Sequence, residues 1–484
     1  MSARAPMLVL ELNEATEHFL RRYVAEGELP HFARLLAGGR FLRTRIAGWR
    51  ADADRAWRHI SPWMVWPSVY TGLPIERHGI VGFGQDSRAL QGACIWDRLN
   101  AAGVTTGVCG NLMSWPPRGG DKALFYVPES LADTDETIPE AARPAQAFSI
   151  LAARNYSESF VKTAPRAVAL LLRSLGSGVS LATAARMLAQ VPLEILRGPR
   201  QHPERAMLHS YMLADVFKAL WTATRPAYAT AQFNHIAYMQ HRYWRAAEPE
   251  RFGDAVGPLD RHFFGTAAER RRFEAMFAGC ILRSFQLADR ILGDWRAMAG
   301  ESATIAVLTG LGQRPMEPGR DIHNPEIRLV RIEALFARLD LPASTCLPQM
   351  NPDLTLTFAD RAAAEAAERK LAAVTVDGAL PLFHQQRVGA QLFLEVQLPE
   401  SLWDRPLGAA EIRVGDNGPA LRLADHVVVN AQRSQSTAHH QDEGWMLVGG
   451  DLAGLDLPAE SLDVTEICPL FLRRFGIGQV NRAA

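Results

Sequence analysis

The chain has 484 residues, enough for one large α/β domain with insertions or for several average domains. Its hydrophobic fraction of 48% and charged fraction of 21% are those of an ordinary globular protein, and 52 basic residues against 52 acidic ones leave no net field to gather nucleic acid or an anionic membrane. The five cysteines (Cys94, Cys109, Cys280, Cys346, Cys468) are scattered and form no C-x-x-C pair, which argues against a disulfide framework and against a structural zinc site.

The first element is Met7–Leu12, a continuous apolar run of the kind a strand buried on both faces shows. The run is too short and too acidic for a signal-peptide core, so a cytoplasmic protein is expected. A helix is expected over about residues 15–26, and a second one led by Pro30-His31-Phe32. Residues 101–110 read as a helix end, a glycine cap and a strand. From about residue 150 to 220 the pattern is helical with no strand signal, which predicts an inserted helical cap. Within it, residues 164–196 contain the apolar runs 167–172 and 191–196, but Arg173, Gly176-Ser177-Gly178 and Arg186 interrupt them. No run reaches the roughly 18–20 apolar residues of a membrane span. Two amphipathic helices packed on the main domain are expected here, with a membrane-surface contact as the alternative.

Residues 227–233 and 303–309 are further short apolar runs, each preceded by a helical pattern. Such alternation predicts a mostly parallel sheet sandwiched by helices, with functional groups at the carboxyl ends of its strands. Those ends fall at Asn13-Glu14, Asn111, Asn234-His235 and Thr309-Gly310. From Leu354 the pattern becomes strand, Ala/Glu-rich helix (360–372) and two strands around 381–384 and 391–396, a small α+β insertion of β-α-β-β order. The chain then returns to the main sheet at 445–450. The expected organisation is a core begun in 1–149, a helical insertion in 150–220, core again in 221–345, the α+β insertion in 346–425 and the last part of the core in 426–484.

The most specific stretch is Trp66-Pro67-Ser68-Val69-Tyr70-Thr71-Gly72, followed after five residues by His78-Gly79-Ile80. It resembles the nucleophile segment of the type I phosphodiesterase/nucleotide pyrophosphatase branch of the alkaline phosphatase superfamily. Further stretches resemble that family in its own order: Glu28-Leu29-Pro30-His31-Phe32, Asn111-Leu112-Met113-Ser114-Trp115-Pro116-Pro117, Gln240-His241-Arg242-Tyr243-Trp244, His440-Gln441-Asp442-Glu443-Gly444, and the closing segment from Asp463 to Leu472. The resemblance spans nearly the whole chain and implies an alkaline-phosphatase-like fold. It also implies two divalent metals, usually zinc, held by carboxylates and imidazoles around a Thr or Ser nucleophile.

Most of those positions are replaced. Asn13 stands for the first carboxylate and Pro62 for the nucleophile, with Ser61 beside it. The D-x-x-x-H pair becomes Ala237 and His241, and the S-D-H-G segment becomes Thr309-Gly310-Leu311-Gly312. The last histidine survives as His440. An ordinary two-metal centre is therefore not expected. A satisfied polar pocket without metal is the expectation; the alternative is one Zn²⁺ held by His241 and His440 with a third ligand from His235, His439, His323 or Glu14. His235, His241, His440 and Ser61 are the catalytic candidates. Asn13, Asn111, Asn234, Arg314 and His323 are candidates for binding substrate, the last two supplying positive charge that metals would otherwise give. His78 is expected to serve as a structural hydrogen-bonder and His235 equally as a core histidine. No Walker loop, dinucleotide fingerprint, HExxH or G-x-S-x-G elbow is present.

Three functions fit. The first is a hydrolase or transferase acting on a small-molecule phosphate-type or related ester through a remodelled cleft. The second is a non-catalytic relative that binds a phosphorylated ligand or a protein partner. The third is an ordinary metal-dependent phosphodiesterase.

Overall fold

The structure, a computed structural model, describes residues 5–46, 60–82, 85–154, 160–253, 264, 266–317, 326–342, 344–348, 354–396, 398, 402, 410–415, 420–430 and 436–478. The first strand, β1 (Met7–Leu12), is buried along its whole length. It is followed by helices α1 (Glu17–Ala25) and α2 (Pro30–Gly38), strand β2 (Arg40–Arg45), helices α3 (Pro62–Thr71), α4 (Ile75–His78) and α5 (Ile95–Ala101), and strands β3 (Thr106–Cys109) and β4 (Ala123–Val127). The stretch without strand signal is built by helices α6 (Arg143–Arg154), α7 (Phe160–Ser174), α8 (Leu181–Arg197) and α9 (His202–Thr224). The core resumes with β5 (Tyr228–Phe233), α10 (His235–Ala247), α11 (Ala267–Phe277), α12 (Cys280–Ala299), β6 (Thr304–Leu308) and β7 (Gly312–Pro315).

Later strands complete the sheet: β18 (Ala438–Gln441), β19 (Glu443–Gly449) and β20 (Ser461–Asp463), numbered after the strands β8 to β17 that lie between Glu326 and Asn430. The main sheet has eight strands in the order β20-β2-β19-β6-β1-β5-β3-β4. Every neighbouring pair is parallel except β19, which runs antiparallel to both β2 and β6. The mostly parallel sheet expected from the sequence is therefore present, with β1 in its interior.

Side-chain direction alternates along β1 as a strand's two-residue period requires. Leu8, Leu10 and Leu12 enter one core with Phe19, Trp244 and Phe285; Met7 and Val9 enter the opposite core with Trp66, Tyr70 and Phe471. Each such side chain contributes roughly 1.5–3 kcal/mol by leaving water. Helices thus cover both faces of the sheet. Glu11 falls on the second face by the same period, where Tyr70 and Thr230 meet its carboxylate.

Between Leu335 and Val427 the chain forms a third core of its own. The strand at Leu354–Phe358, the helix at Arg361–Ala372 and the strand at Gln391–Val396 lie where the sequence predicts them. The β-α-β-β description is too simple, however. Two four-stranded antiparallel sheets form, recruiting Ser344–Pro348, Val374–Val376, Glu411–Val414 and Leu421–Arg422. Strands of two to five residues are too brief to print a period-two signal. Among the described residues no helix is long and apolar enough to cross a membrane.

Candidate functional site

At the carboxyl end of β1 the backbone is stitched to both neighbouring strands. Asn13 donates its N–H to the Phe233 carbonyl at 3.0 Å, and Glu14 donates to Thr309 at 3.2 Å. Glu14 adopts φ 59°, a left-handed conformation that costs a residue with a Cβ about 1 kcal/mol. Its carboxylate is buried, with the Gln240 amide donating to its own carbonyl at 2.7 Å and the Asn13 amide donating to Oε1 at 3.0 Å.

Two imidazoles converge on the other carboxylate oxygen. His241 lies on α10, one helical turn after Ala237, and His440 lies on β18, which pairs with β7 so that His440 faces Gln313 and His439 faces Arg314. Glu14 Oε2 stands 2.9 Å from His241 Nε2 and 3.1 Å from His440 Nε2, and the two Nε2 atoms are 3.2 Å apart. Behind each ring a backbone carbonyl accepts from Nδ1: Ala438 for His241 at 3.0 Å and Ile60 for His440 at 2.7 Å. A carbonyl can only accept, so Nδ1 of each ring must carry the hydrogen. The neutral rings then present Nε2 lone pairs to one another and to a carboxylate. Three acceptors at this spacing are reconciled only by a cation, either protons or a metal.

The electrostatics agree. Burial alone would raise the Glu14 carboxyl, but the imidazoles of His440 and His241 reverse this and hold it well below the usual carboxylate range. Burial alone would lower His440, but the Glu14 carboxylate and the Ile60 carbonyl lift it above its ordinary value. The Gln313 amide also donates to Glu14 Oε2 and to the Ala237 carbonyl, fixing the carboxylate, while its own Oε1 is buried with no partner among the described residues.

Among the described residues, Glu14, His241 and His440 form the one cluster of three or more metal-ligating side chains. The set fits a divalent cation of the zinc type. Ligands about 2.0–2.1 Å from zinc at tetrahedral angles stand roughly 3.3 Å apart, and carbonyl-anchored Nδ1 atoms are the usual support for Nε2 ligation.

The other sequence candidates lie as follows. Asn13 is buried and saturated: Trp66 Nε1 donates to its Oδ1 at 2.8 Å, and its amide donates to Asn234 Oδ1 at 2.7 Å as well as to Glu14. Asn234 occupies the N-cap position of α10. His235 is buried, its Nε2 against the Ser284 carbonyl at 3.0 Å, and burial pushes it down to about 4. It is absent from the Glu14 cluster. Asn111 is buried and donates to Thr230 Oγ1 at 3.1 Å. Ser61 is the N-cap residue of α3 without a capping bond from its side chain, one residue after the carbonyl that holds His440. Arg314 follows Gln313 on β7. His323 lies outside the described residues. His78 bonds Ser68 Oγ at 2.9 Å and accepts from the Ile80 N–H at 3.0 Å, the structural tie expected of it.

Two features had no advance signal. Gln313 sits in a short strand whose sequence gives no hint that its amide reaches across to β1. Trp66 does more than mark the family segment: its ring stands beside Gly310, where an added Cβ would lie 3.0 Å from the indole, and Gly310 itself has φ 69°. The indole thus fills the space between Asn13 and Gly310.

A cavity of about 450 Å³ adjoins the cluster through Gln313 and opens between α1, the end of α10 and the β7–β18 ribbon. Its lining includes Arg21, Arg251 and Arg314 with Glu17 as the only carboxylate.

No family model matches the chain, and no curated protein matches its sequence. Among solved structures the chain is similar to phosphonoacetate hydrolase from Sinorhizobium meliloti in complex with phosphonoformate, at 16% identity over 98% of this chain and 96% of that one with a TM-score of 0.42. It is similar to human ectonucleotide pyrophosphatase/phosphodiesterase 5 at 13% identity over 99% and 97%, TM-score 0.42. The inactive murine counterpart in complex with AMP matches at 11% identity over 99% and 97%, TM-score 0.40. The chemistry of the site rests on its own residues.

Proposed function

We propose that Glu14, His241 and His440 hold a single divalent cation, zinc by their donor set, and that the chain is a hydrolase or transferase for a small-molecule phosphate-type or related ester. The observation that carries this reading is the convergence of Glu14 Oε2 and two Nε2 atoms within 3.2 Å of one another, each ring locked from behind by a carbonyl. A bound cation supplies Lewis-acid polarisation of an ester oxygen.

The chain's own groups take the remaining roles. Gln313 holds the carboxylate in place. Arg21, Arg251 and Arg314 line the adjoining cavity, Arg21 paired with Glu17 and Arg251 with Glu248, and the N–H groups that these pairs leave over can donate to the oxygens of a phosphate-type ligand. Ser61 is the hydroxyl next in the chain to the His440 anchor, and we assign it as the nucleophile. A second metal is disfavoured because the Trp66 indole packs where Gly310 would have to carry a carboxylate. The free state of all five cysteines supports a cytoplasmic address.

The second reading, a protein that binds a phosphorylated ligand without turning it over, draws on the proline at position 62 and on the saturated amide of Asn13. Elemental analysis of the purified protein combined with turnover of a nitrophenyl phosphodiester separates the readings. One equivalent of metal with turnover, both lost in His241→Ala and His440→Ala, supports the first, and Ser61→Ala should then retain metal while losing turnover. Metal without turnover favours the second, and absence of metal from the wild type defeats the one-metal site.

A further inference from the structure

Helix α8 exposes a row of large apolar residues to water. Its inward side carries Thr183, Ala184, Met187, Gln190 and Glu194, with Gln190 and Glu194 tied to Gln201 and Arg205 at the start of α9. Its outward side carries Leu181, Ala185, Leu188, Pro192 and Ile195 at spacings of three or four residues, with Leu196 beside the last, so that they form one continuous stripe; Arg186 is also exposed. Leu181 is 76% exposed, Ile195 81% and Leu196 79%. Neighbouring α7 adds Val168 and Leu172, also exposed. Scattered exposed leucines are ordinary, but an aligned apolar stripe along one helix marks a contact surface.

The charge around the stripe selects its partner. From residue 160 to 201 the chain carries Lys162, Arg166, Arg173, Arg186, Arg197 and Arg200 against the single acid Glu194, within a protein of net charge zero. Arg166, Arg173, Arg197 and Arg200 are exposed beside the apolar residues. A second copy of the chain, docked face to face, would bring the same excess of positive charge against itself. The stripe on a 17-residue helix is also only about 25 Å long, too small to supply the roughly 800 Å² per partner of a stable dimer. An anionic lipid surface satisfies both properties, taking the leucines among its acyl chains and the arginines at its headgroups.

We propose that α8, assisted by α7, seats the protein on an anionic membrane surface, lying on the bilayer without spanning it. The net neutrality of the whole chain does not oppose this, because the attraction acts within a Debye length of about 8–10 Å and sees the local charge.

The test is co-sedimentation of the full-length protein with vesicles of phosphatidylcholine alone and of phosphatidylcholine mixed with phosphatidylglycerol, at low and high salt. The wild type should pellet with the anionic vesicles, about tenfold less with the neutral ones, and less as salt rises. Combining Ile195→Glu with Leu196→Glu should reduce binding at least about tenfold while leaving the thermal midpoint unchanged, since both side chains already face solvent. Arg197→Glu with Arg200→Glu should abolish the preference for anionic lipid. Failure of the wild type to bind either vesicle, or binding that both variants retain, overturns the proposal. A wild-type dimer that the Ile195/Leu196 variant dissociates, with no vesicle binding, overturns it in favour of a second copy.

Discussion

The Nε2 atoms of His241 and His440 stand 3.2 Å apart with no hydrogen to share when both rings are neutral, because each Nδ1–H is committed to a carbonyl. In metal-free protein that contact must be relieved by protonation, and the Glu14 carboxylate pays the electrostatic cost. His440 therefore holds its proton above its ordinary range, and Glu14 stays ionised below its own. The signs give a window. Glu14, depressed on folding, adds stability above its unfolded value that is lost as pH falls. His440, raised on folding, adds stability below its unfolded value that is lost as pH rises through the folded one. Glu14→Gln should remove both slopes and cost about 1–3 kcal/mol by leaving buried polar groups poorly matched. By NMR titration of the metal-free variant, His440 should fall below its ordinary value, since burial persists and the anion is gone. An unchanged His440 titration would refute the pairing.

Metal removal should be visible as lost stability. A cation bound only by the folded chain stabilises by about 2.7 kcal/mol when its free concentration is a hundred times the dissociation constant. Chelation should lower the thermal midpoint of the wild type, and zinc should restore it. Neither treatment should move the midpoint of His241→Ala. A wild-type midpoint indifferent to chelator and zinc would contradict the cation site.

The fold was legible because strands such as Met7–Leu12 and Leu354–Phe358 carry continuous apolar or β-branched runs, and because helices such as Arg361–Ala372 follow a capping Asp360. The site was half legible. His241 and His440 could be named from the family resemblance, and Glu14 was one of four third-ligand candidates. Its selection depends on a left-handed backbone at φ 59° that no one-residue pattern announces. Gln313 was missed for a related reason: its role comes from the pairing of β7 with β18, a contact across more than a hundred residues of chain. His235 lies at a strand end as expected, yet its ring meets the Ser284 carbonyl on α12, because the first turn of α10 faces that helix.

A second buried carboxylate gives a pH dependence of opposite character to Glu14. Glu11 is enclosed between β1, β5 and α3, and burial pushes it up to about 7 despite donors from Thr230 and Tyr70, each at 2.6 Å. A carboxyl raised on folding binds its proton more tightly in the native state, so stability declines as pH climbs from its unfolded value near 4.5 to about 7. The slope is about 1.4 kcal/mol per pH unit where the difference is complete. Glu11→Gln should flatten that decline. Denaturant midpoints measured from pH 5 to pH 8 would check it, and a variant as pH-sensitive as the wild type would count against Glu11.

Rebuilding a two-metal centre would start from a carboxylate beside Asn13. Gly310 occupies the position where the resembled family places an Asp, so Gly310→Asp is the obvious restoration. Two physical obstacles oppose it. The backbone sits at φ 69°, and a Cβ would stand 3.0 Å from the ring of Trp66, which is itself pinned by its bond to Asn13. The strained backbone costs about 1–3 kcal/mol, and displacing the indole would orphan the buried Asn13 Oδ1 at a similar cost. Gly310→Asp should therefore lower stability by at least about 1 kcal/mol and leave the metal content at one equivalent. Pairing it with Trp66→Ala removes the clash but opens a cavity, costing roughly 3–5 kcal/mol. If Gly310→Asp alone bound a second equivalent with no loss of stability, the indole would not be what opposes a second metal.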